Sequence, residues 1–390
     1  MKNYIFLIII LILISPSEVV AEESLTEKDI QIEKELLQSI PLEDIELYWE
    51  TIQTEYGAYF TELTNKDIRD LIMQDGSFSL KNMAKGLFHY LFYEIWIQST
   101  LLSQLLLLAI LHLLLQAIQH AFLHETVSKV ANFIVYIVIL YISLQSFHHV
   151  FTYTKDTILM MNNFMIALLP ILLSLLATSG QLLTAAFFHP TIIFLTHISG
   201  LLMTRLVLPF LYIGLLLTMV SHFNERFQAT KLAHLFKHVS IGLISVFFTV
   251  FLTVLSIQGA VHTVQDGLLL KTTKFLSSNI IPIIGRTFTE ATDTFLFAAQ
   301  LLKNGVGIAG VVILVLIAIF PLIKIVIIAF LYKLAAALIQ PLGNKEVSAM
   351  LQTVSQYMMF LFTCLLIVSF MFFISVVIMI VLSNIPLFLR

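Results

Sequence analysis

Apolar stretches long enough to cross a membrane constrain this chain more than any other feature. They recur from Ser99 to Leu382 with few charges between them. Each is close to the roughly 20 residues that a helix needs to cross about 30 Å of hydrocarbon. Hydrophobic residues make up 59% of the chain and charged residues 12%. Because soluble domains are about one quarter charged, this composition excludes a water-soluble globule.

We therefore predict an all-α fold, a polytopic transmembrane bundle of about eight helices over residues 86–390. Pro170 and Pro321 should bend their helices. The region 182–221 holds one charge, Arg205, and either His189-Pro190 or Pro209 could divide it. The predicted spans are Ser99–Ile118, Val127–Phe147, Ile158–Thr178, Leu182–Ser199, Leu201–Ser221, His238–Ile257, Val306–Leu331 and Tyr357–Leu382.

The first residues have the order of a secretory signal peptide. Lys2 is followed by the apolar run Tyr4–Ile14, a Ser-Pro-Ser breaker and small residues up to Ala21. Residues 1–21 are therefore predicted to be a signal peptide cleaved after Ala21. An uncleaved anchor is the alternative, although the apolar run is short for a span. Both place the following residues outside the cytoplasm.

Residues 22–85 form an acidic extracytoplasmic segment, with fifteen acidic and six basic side chains. Apolar residues at helical spacing predict one helix ending before Pro41 and another from Leu42 to about Glu55. Their apolar stripes either pack on each other or dock another protein outside the membrane. The stripe of the second helix consists of Ile45, Trp49 and Ile52.

The predicted orientation follows from the signal peptide. It places residues 223–237 in the cytoplasm, where Arg226, Lys231 and Lys237 agree with the positive-inside tendency. The basic residues of 258–304 would lie outside, against that tendency. The charge rule alone therefore does not settle the orientation.

Motifs for catalysis or cofactor binding lack the context they require. Gly305–Gly310 matches G-x-G-x-x-G, but no strand is predicted before it and no acidic residue follows about 20 positions later. We interpret it as a helix end at the first glycine, then small residues that permit close approach of another transmembrane helix. The pairs His120/His124 and His234/His238 have i, i+4 spacing without an evident third metal ligand. We predict no enzyme, cofactor or metal site.

Residues 258–304 are polar yet framed by apolar spans. The break 281–285 and the capping-box spacing of Thr287 and Glu290 predict two amphipathic helices around a Pro/Gly turn, ending at Lys303-Asn304-Gly305. A charge facing lipid costs about 3 kcal/mol or more, so these charges must face a lumen, a partner or the membrane surface. A surface hairpin with a purely structural role is the alternative.

The charged residues of this hairpin are its candidate assembly- or pore-lining residues: Asp266, Lys271, Lys274, Arg286, Glu290, Asp293 and Lys303. Its glycines and proline, together with those just after it, are assigned to turns or close helix packing. They are Gly259, Gly267, Pro282, Gly285, Gly305, Gly307 and Gly310.

The hairpin sequence resembles the stage III sporulation protein AE family of endospore-forming bacteria. The signal peptide, the acidic segment and the multiple spans resemble that family too. The most specific part of the resemblance is a string of short matches: Gly259-Ala260, Asp266-Gly267, Lys271-Thr272, Lys274-Phe275, Ile281-Pro282, Gly285, Glu290-Ala291, Asp293-Thr294, Leu302-Lys303-Asn304, Val306-Gly307 and Gly310.

The resemblance implies a multi-pass mother-cell protein in the membrane around the forespore. Its implied partners are the other proteins of the same sporulation operon, including an ATPase and ring-forming subunits, and the forespore's stage II sporulation protein Q. The implied assembly is a secretion-like trans-envelope channel required for late forespore gene expression. No residue role is implied.

The leading functional hypothesis is a non-enzymatic membrane subunit of that mother-cell-to-forespore channel complex. A stand-alone secondary transporter for a small solute is the alternative. It would require paired ionisable residues at mid-membrane, yet Arg205 and Lys324 are the only charges well inside predicted spans. An intramembrane hydrolase lacks a Ser/His or paired-Asp arrangement within the predicted spans.

Overall fold

Helix is the regular structure throughout the described part of the chain. A computed structural model describes residues 32, 35–60, 67–73, 80–121, 125–223, 229–280, 284–342 and 345–382. Within these ranges, the side chains of 80–81, 116–121, 125–132, 222–223, 259–271, 273–280, 284–294, 342 and 382 lie outside the description. The elements are α1 (Glu43–Tyr56), a 3-10 turn (Gly57–Tyr59), α2 (Ile68–Met73), α3 (Leu80–Ala121), α4 (Glu125–Thr178), α5 (Leu182–Leu202), a π turn (Met203–Val207), α6 (Leu208–Phe223), α7 (Thr230–Ile280), α8 (Ile284–Ile339), a second 3-10 turn (Gln340–Leu342) and α9 (Lys345–Leu382).

Six helices among the described residues are long and apolar enough to cross a membrane. The all-α, multi-pass fold is therefore confirmed, whereas the count of eight spans is not. Val127–Phe147 and Ile158–Thr178 both lie in α4, and the two stretches of 182–221 lie in the continuous rod α5–α6. The polar residues between these stretches are helical. A polar residue can end a membrane-crossing stretch without breaking the backbone hydrogen bonds of the helix.

Prolines lie inside three of the long helices without ending them, at Pro170, Pro190 and Pro321. A fourth, Pro209, is the second residue after the π turn. A proline lacks the N–H that would bond the carbonyl four residues back, here that of Arg205. The π turn accommodates this interruption of the hydrogen-bond ladder. The α5–α6 rod is therefore one helix with a local irregularity.

The core of the bundle is formed by α4, α8 and α9, which share one hydrophobic cluster. The Ser348 Oγ donates a hydrogen bond to the Ala336 carbonyl at 2.8 Å, and the Ser355 Oγ donates to the Ala329 carbonyl at 2.7 Å. These bonds fix the antiparallel register of α9 on α8. In contrast, α3 and α7 are peripheral, since 11% and 22% of their most apolar windows are buried.

The acidic N-terminal segment packs on the bundle. Its second helix is confirmed as α1, and residues 35–39 are helical and end before Pro41 as predicted. The stripe Ile45, Trp49 and Ile52 is at most 3% exposed and belongs to the same hydrophobic cluster as the long helices. The stripes were predicted to pack on each other or on another protein, whereas α1 packs on α4 and α8 of the same chain. The signal peptide and residues 22–31 lie outside the described residues.

The predicted hairpin is not a separate element. Helix α7 runs past residue 258 to Ile280, and α8 runs from Ile284 past residue 304 to Ile339. Its arms are therefore extensions of two apolar helices, and the predicted helix end at Gly305 is wrong. The glycine is tolerated inside α8 because another chain segment packs closely against it. The turn residue Pro282 lies outside the described residues.

Candidate functional site

The hairpin arms carry most of the predicted site residues. Asp266, Lys271 and Lys274 lie on the arm of α7, while Arg286, Glu290 and Asp293 occupy the first turns of α8. At about 100° per residue, the three α8 residues fall within an arc of about 60° of the helix. Their side chains lie outside the description. Their assignment as assembly- or pore-lining residues therefore stays a prediction.

Lys303 is the member of that set whose side chain is described. It is 1% exposed and lies beside Leu172, Met379 and Ile380. The Lys303 Nζ has no hydrogen-bond partner among the described residues. Within a single copy of the chain, Lys303 is thus an interior residue and does not contribute to an outer surface.

The glycines of α8 lie where other helices come closest. A Cβ added to Gly305 would lie 2.5 Å from the Ile72 carbonyl oxygen of α2. Added to Gly307 or Gly310, it would lie 2.6 Å from side-chain atoms of α9 or α4. Close packing by small residues thus positions α2, α4 and α9 against α8. Gly259 and Gly267 lie in α7, and Gly285 lies in the first turn of α8.

A buried ion pair lies where α3, α4 and α8 meet. The Lys324 Nζ is 3.9 Å from the Glu94 Oε1, and Gln98 donates to the same oxygen at 2.8 Å. Glu94 is 4% exposed. The Lys324 Nζ also lies 4.9 Å from the ring centroid of Tyr153, a cation–π distance. A buried carboxylate needs such partners, because an unpaired charge in this environment is strongly destabilising.

Aromatic rings join this ion pair to the N-terminal segment. Tyr56 stacks on Phe320 with ring centroids 3.7 Å apart, and its hydroxyl lies 3.4 Å from that of Tyr153. Phe320 also contacts Tyr90 edge to face at 5.0 Å. The aromatic cluster therefore fixes the end of α1 on α3, α4 and α8, directly beside Glu94 and Lys324.

Tyr59 of the 3-10 turn completes the aromatic cluster. Its ring centroid lies 5.3 Å from that of Tyr90 and 5.4 Å from that of Tyr93. Burial, followed by a hydrogen bond with Tyr93, raises the pKa of Tyr59 from 10.0 to about 12. Burial also raises the pKa of Tyr56. Both hydroxyls therefore keep their protons to a higher pH than a solvent-exposed tyrosine would.

The ion pair was missed because the first span was predicted to begin at Ser99. Helix α3 begins at Leu80, so Glu94 lies in the same candidate membrane-spanning helix as the predicted span. One signal was present in the sequence, since Glu94 lies among Tyr90, Tyr93 and Trp96. Aromatic residues of this kind concentrate at membrane–water interfaces, and a carboxylate among them indicates a partner.

This fold defines a class: a multi-pass membrane protein built from long helices, with an N-terminal helical segment docked on the bundle. A family model described as Stage III sporulation protein AE matches residues 63–383. The chain is also 42% identical to the Stage III sporulation protein AE of Bacillus subtilis (strain 168), over 100% of this chain and 99% of that protein. No solved structure matches the chain.

The chain therefore belongs to the stage III sporulation protein AE family and is a sporulation membrane protein. The family match includes α2 and every long helix but begins after α1. The relative covers the N-terminal segment as well.

Proposed function

We propose that this chain is a non-enzymatic membrane subunit of a channel complex that connects the mother cell with the forespore. In this proposal it lies in the mother-cell membrane around the forespore. It works with the other proteins of its sporulation operon, including an ATPase and ring-forming subunits, and with stage II sporulation protein Q. Passage through the complex supports late forespore gene expression.

The length of the hairpin arms is the observation that supports this proposal most. Helix α7 continues to Ile280, about 35 Å beyond Ile257, where the sequence predicts that its apolar span ends. The first turns of α8 add Arg286, Glu290 and Asp293 at one helical face. Charged residues on these extensions must lie outside the hydrocarbon or face protein, where they are available to neighbouring subunits of an assembly.

Charge reversal in the hairpin tests the proposal. The triple variant Asp266→Lys, Glu290→Lys and Asp293→Lys should insert at normal levels but fail to support heat-resistant spores and a late forespore reporter. The host is a Bacillus subtilis strain lacking its own Stage III sporulation protein AE. The wild-type chain must first restore sporulation there.

The matched control reverses three exposed carboxylates of the N-terminal segment, Glu35, Glu43 and Asp44. It changes the net charge equally and should leave sporulation near normal. If the hairpin variant sporulated as well as the wild type, the hairpin would have no role in assembly or passage.

The stand-alone transporter remains the second candidate because of one observation. The Glu94–Lys324 pair is an ionisable pair within apolar helices, which is what such a transporter requires. Solute uptake by liposomes that contain this purified chain alone, abolished by Glu94→Gln, would favour it.

A further inference from the structure

Charged residues of three helices lie at one height of the bundle. The Lys324 Nζ on α8 is 3.9 Å from the Glu94 Oε1 on α3 and 4.9 Å from the ring centroid of Tyr153 on α4. Lys155 and Asp156 follow Tyr153 within one helical turn. Helices α3, α4 and α8 therefore carry charges at the same height.

A fourth helix, α7, also carries a charge at this height. The two serine hydrogen bonds between α9 and α8 set a register that places Phe360 opposite Lys324. The Lys237 Nζ of α7 lies 4.5 Å from the ring centroid of Phe360. Lys237 is therefore level with Lys324 to within about one helical turn.

The α5–α6 rod adds a further charge. A Cβ on Gly200 would lie 2.9 Å from the Asn162 Oδ1, and the ring centroids of Tyr212 and Phe151 are 5.0 Å apart. Arg205, between these two contacts, is thus level with the charged residues of α4. We name the whole set the charged belt: Glu94, Lys155, Asp156, Arg205, Lys237 and Lys324.

Toward one end of the bundle from the charged belt, five helices continue without a charged residue for 20 to 23 positions. Each of these stretches is about 30–35 Å long. That is close to the thickness of the hydrocarbon layer of a bilayer. The stretches are 157–178 in α4, 182–204 in α5 and the π turn, 238–258 in α7, 304–323 in α8 and 361–382 in α9.

Contacts between the helices show that these stretches lie side by side. A Cβ added to Gly307 would lie 2.6 Å from the Ile380 side chain of α9 and 3.8 Å from the Leu172 side chain of α4. The ring centroids of Phe248 on α7 and Phe370 on α9 are 6.2 Å apart. The five stretches therefore form one layer, which we name the apolar layer.

On the other side of the charged belt the helices end at different depths. Helix α7 begins about 10 Å beyond Lys237, and α8 ends about 22 Å beyond Lys324. Exposed lysines lie on this side, at Lys231 and Lys333, as the positive-inside tendency expects of a cytoplasmic side. The apolar layer is therefore the part of the bundle that fits the bilayer.

The acidic N-terminal segment lies at the depth of the apolar layer. The Tyr56 hydroxyl is 3.4 Å from that of Tyr153, beside the charged belt. The ring centroid of Tyr48 lies 5.3 Å from that of Phe164, a residue about 12 Å along α4 from Asp156. Helix α1 therefore runs antiparallel to α4 within the layer.

The outer side of this segment is charged near the middle of the layer. Asp44 lies one helical turn beyond Tyr48, about 18 Å from the charged belt, and its side chain is exposed, as is that of Glu50. Arg69 of α2 lies at a similar depth, because its Nε is 3.4 Å from the Glu46 Oε1. Lipid cannot cover this side, since hydrocarbon strongly disfavours charges of either sign.

Another side of the layer is apolar and fits lipid. On α5 and α7 it exposes Phe187 (50%), Phe194 (63%), Val250 (48%) and Ile257 (60%). Such side chains need no protein partner inside a bilayer, because lipid tails are as apolar as they are. The layer thus has a lipid-facing side and a charged side.

Direct protein contact suits the charged side less well than water. The five apolar stretches carry no charge that could pair with Asp44 or Glu50. The charged residues of α1 are all acidic, so two copies of this chain that touched through α1 would repel each other. Copies with these sides turned inward would enclose water between them.

We propose that the apolar layer lies in the bilayer, with the charged belt at its cytoplasmic surface, and that the charged side of α1 and α2 faces a water-filled passage. The passage opens toward the outside, from which the N-terminal segment enters. Water solvates charges of either sign, so no charge is left in hydrocarbon and a reversed charge on this side is tolerated. The inference deepens the proposed channel function, and only the role of this side in passage rests on that function.

Spin-label accessibility at one depth tests the proposal. Single cysteines replace Asp44 on the charged side and Phe194 and Val250 on the apolar side, all roughly 16–20 Å from the charged belt, in Cys364→Ser chains. The purified chains are placed in vesicles of phosphatidylethanolamine and phosphatidylglycerol. Labels at 194 and 250 should collide readily with oxygen and hardly with a water-soluble nickel complex. The label at 44 should collide with the nickel complex severalfold more often than either.

Three results would overturn the proposal. A label at 44 with the collision pattern of the label at 194 would place α1 against lipid. Protection of the label at 44 from both reagents would show that protein covers α1. Ready access of the nickel complex to the label at 250 would place the apolar layer outside the bilayer.

Glu50→Cys guards against a local effect of the substitution at Asp44. It is also exposed, lies about 9 Å nearer the charged belt along α1 and should give similar access to the nickel complex. The vesicles contain no other sporulation protein. Failure here would therefore leave the channel function to be decided by the hairpin variants.

Discussion

Single glycines determine how closely the N-terminal segment approaches α8. Gly305→Ala would place a Cβ 2.5 Å from the Ile72 carbonyl, so α2 must shift. We expect docking of α2 to weaken by about 1–3 kcal/mol, the usual cost of overpacking. Faster tryptic cleavage after Arg69 in membrane vesicles would measure this loss.

Gly242→Ala is the matched control, because nothing lies within 4 Å of the added Cβ. Cleavage at Arg69 should then proceed at the wild-type rate. Equal resistance of the Gly305→Ala and Gly242→Ala chains would show that α2 does not lie against α8.

The Glu94–Lys324 pair should respond asymmetrically to the loss of each partner. Lys324→Met leaves a carboxylate that is 5% exposed without its cation, whereas Glu94→Gln leaves an ammonium that is 26% exposed. We expect Lys324→Met to lower the unfolding free energy by about 3 kcal/mol and Glu94→Gln by less. Thermal melting of helical circular dichroism in detergent provides the measurement.

The double variant should melt above Lys324→Met, since removing both charges leaves none unpaired. A double variant that melts below both single variants would contradict the ion pair.

At this residue scale the sequence supported some conclusions and not others. The small residues of 305–310 indicated close helix packing, and Gly307 and Gly310 do lie against side chains of other helices. Spacing could not show which helices these would be. It also could not pair Glu94 with Lys324, because a contact across more than 200 residues leaves no local pattern.

At the scale of elements, the N-terminal segment should detach at high pH. The docked state raises the pKa of Tyr59 from 10.0 to about 12. Between these two pH values, the Tyr59 hydroxyl keeps its proton when the segment is docked and loses it when the segment is detached. Docking is therefore fully stable below pH 10 and weakens as the pH rises to about 12. Burial shifts the pKa of Tyr48 and Tyr56 in the same direction.

Tryptophan fluorescence would follow this release. The chain has two tryptophans, of which Trp49 is 3% exposed and Trp96 80% exposed. In Trp96→Phe, the Trp49 emission should shift to the red between pH 10 and 12. Adding Tyr59→Phe should reduce the shift, and an unchanged titration would mean that Tyr59 does not couple to docking.

Hydropathy marked where apolar stretches end in the sequence, but it did not predict where the helices end. Residues 148–157 are polar enough to end a span, yet α4 passes through them. Gly305 resembles a helix stop, yet α8 continues because its neighbours pack around it. Hydropathy reports the surroundings of a helix, whereas backbone hydrogen bonds continue wherever packing supports them. The lengths of α4 and α8, 54 and 56 residues, therefore depend on tertiary packing and could not be predicted from local sequence signals.

At the scale of the whole molecule, orientation links the fold to the proposed function. The proposed function requires the α1 segment and the hairpin to lie outside the cytoplasm and the turn between α6 and α7 to lie inside it. The sequence supported this orientation through its signal peptide and could not establish it through charge alone.

Labelling with a membrane-impermeant maleimide tests this orientation most directly. In Cys364→Ser chains, cysteines replace three exposed residues: Thr272 on the hairpin arm, Glu50 on α1 and His234 near the start of α7. In right-side-out vesicles, the cysteines at 272 and 50 should react and that at 234 should not. Inverted vesicles should give the opposite pattern. Reaction of residue 272 only together with residue 234 would place the hairpin in the cytoplasm and contradict the account.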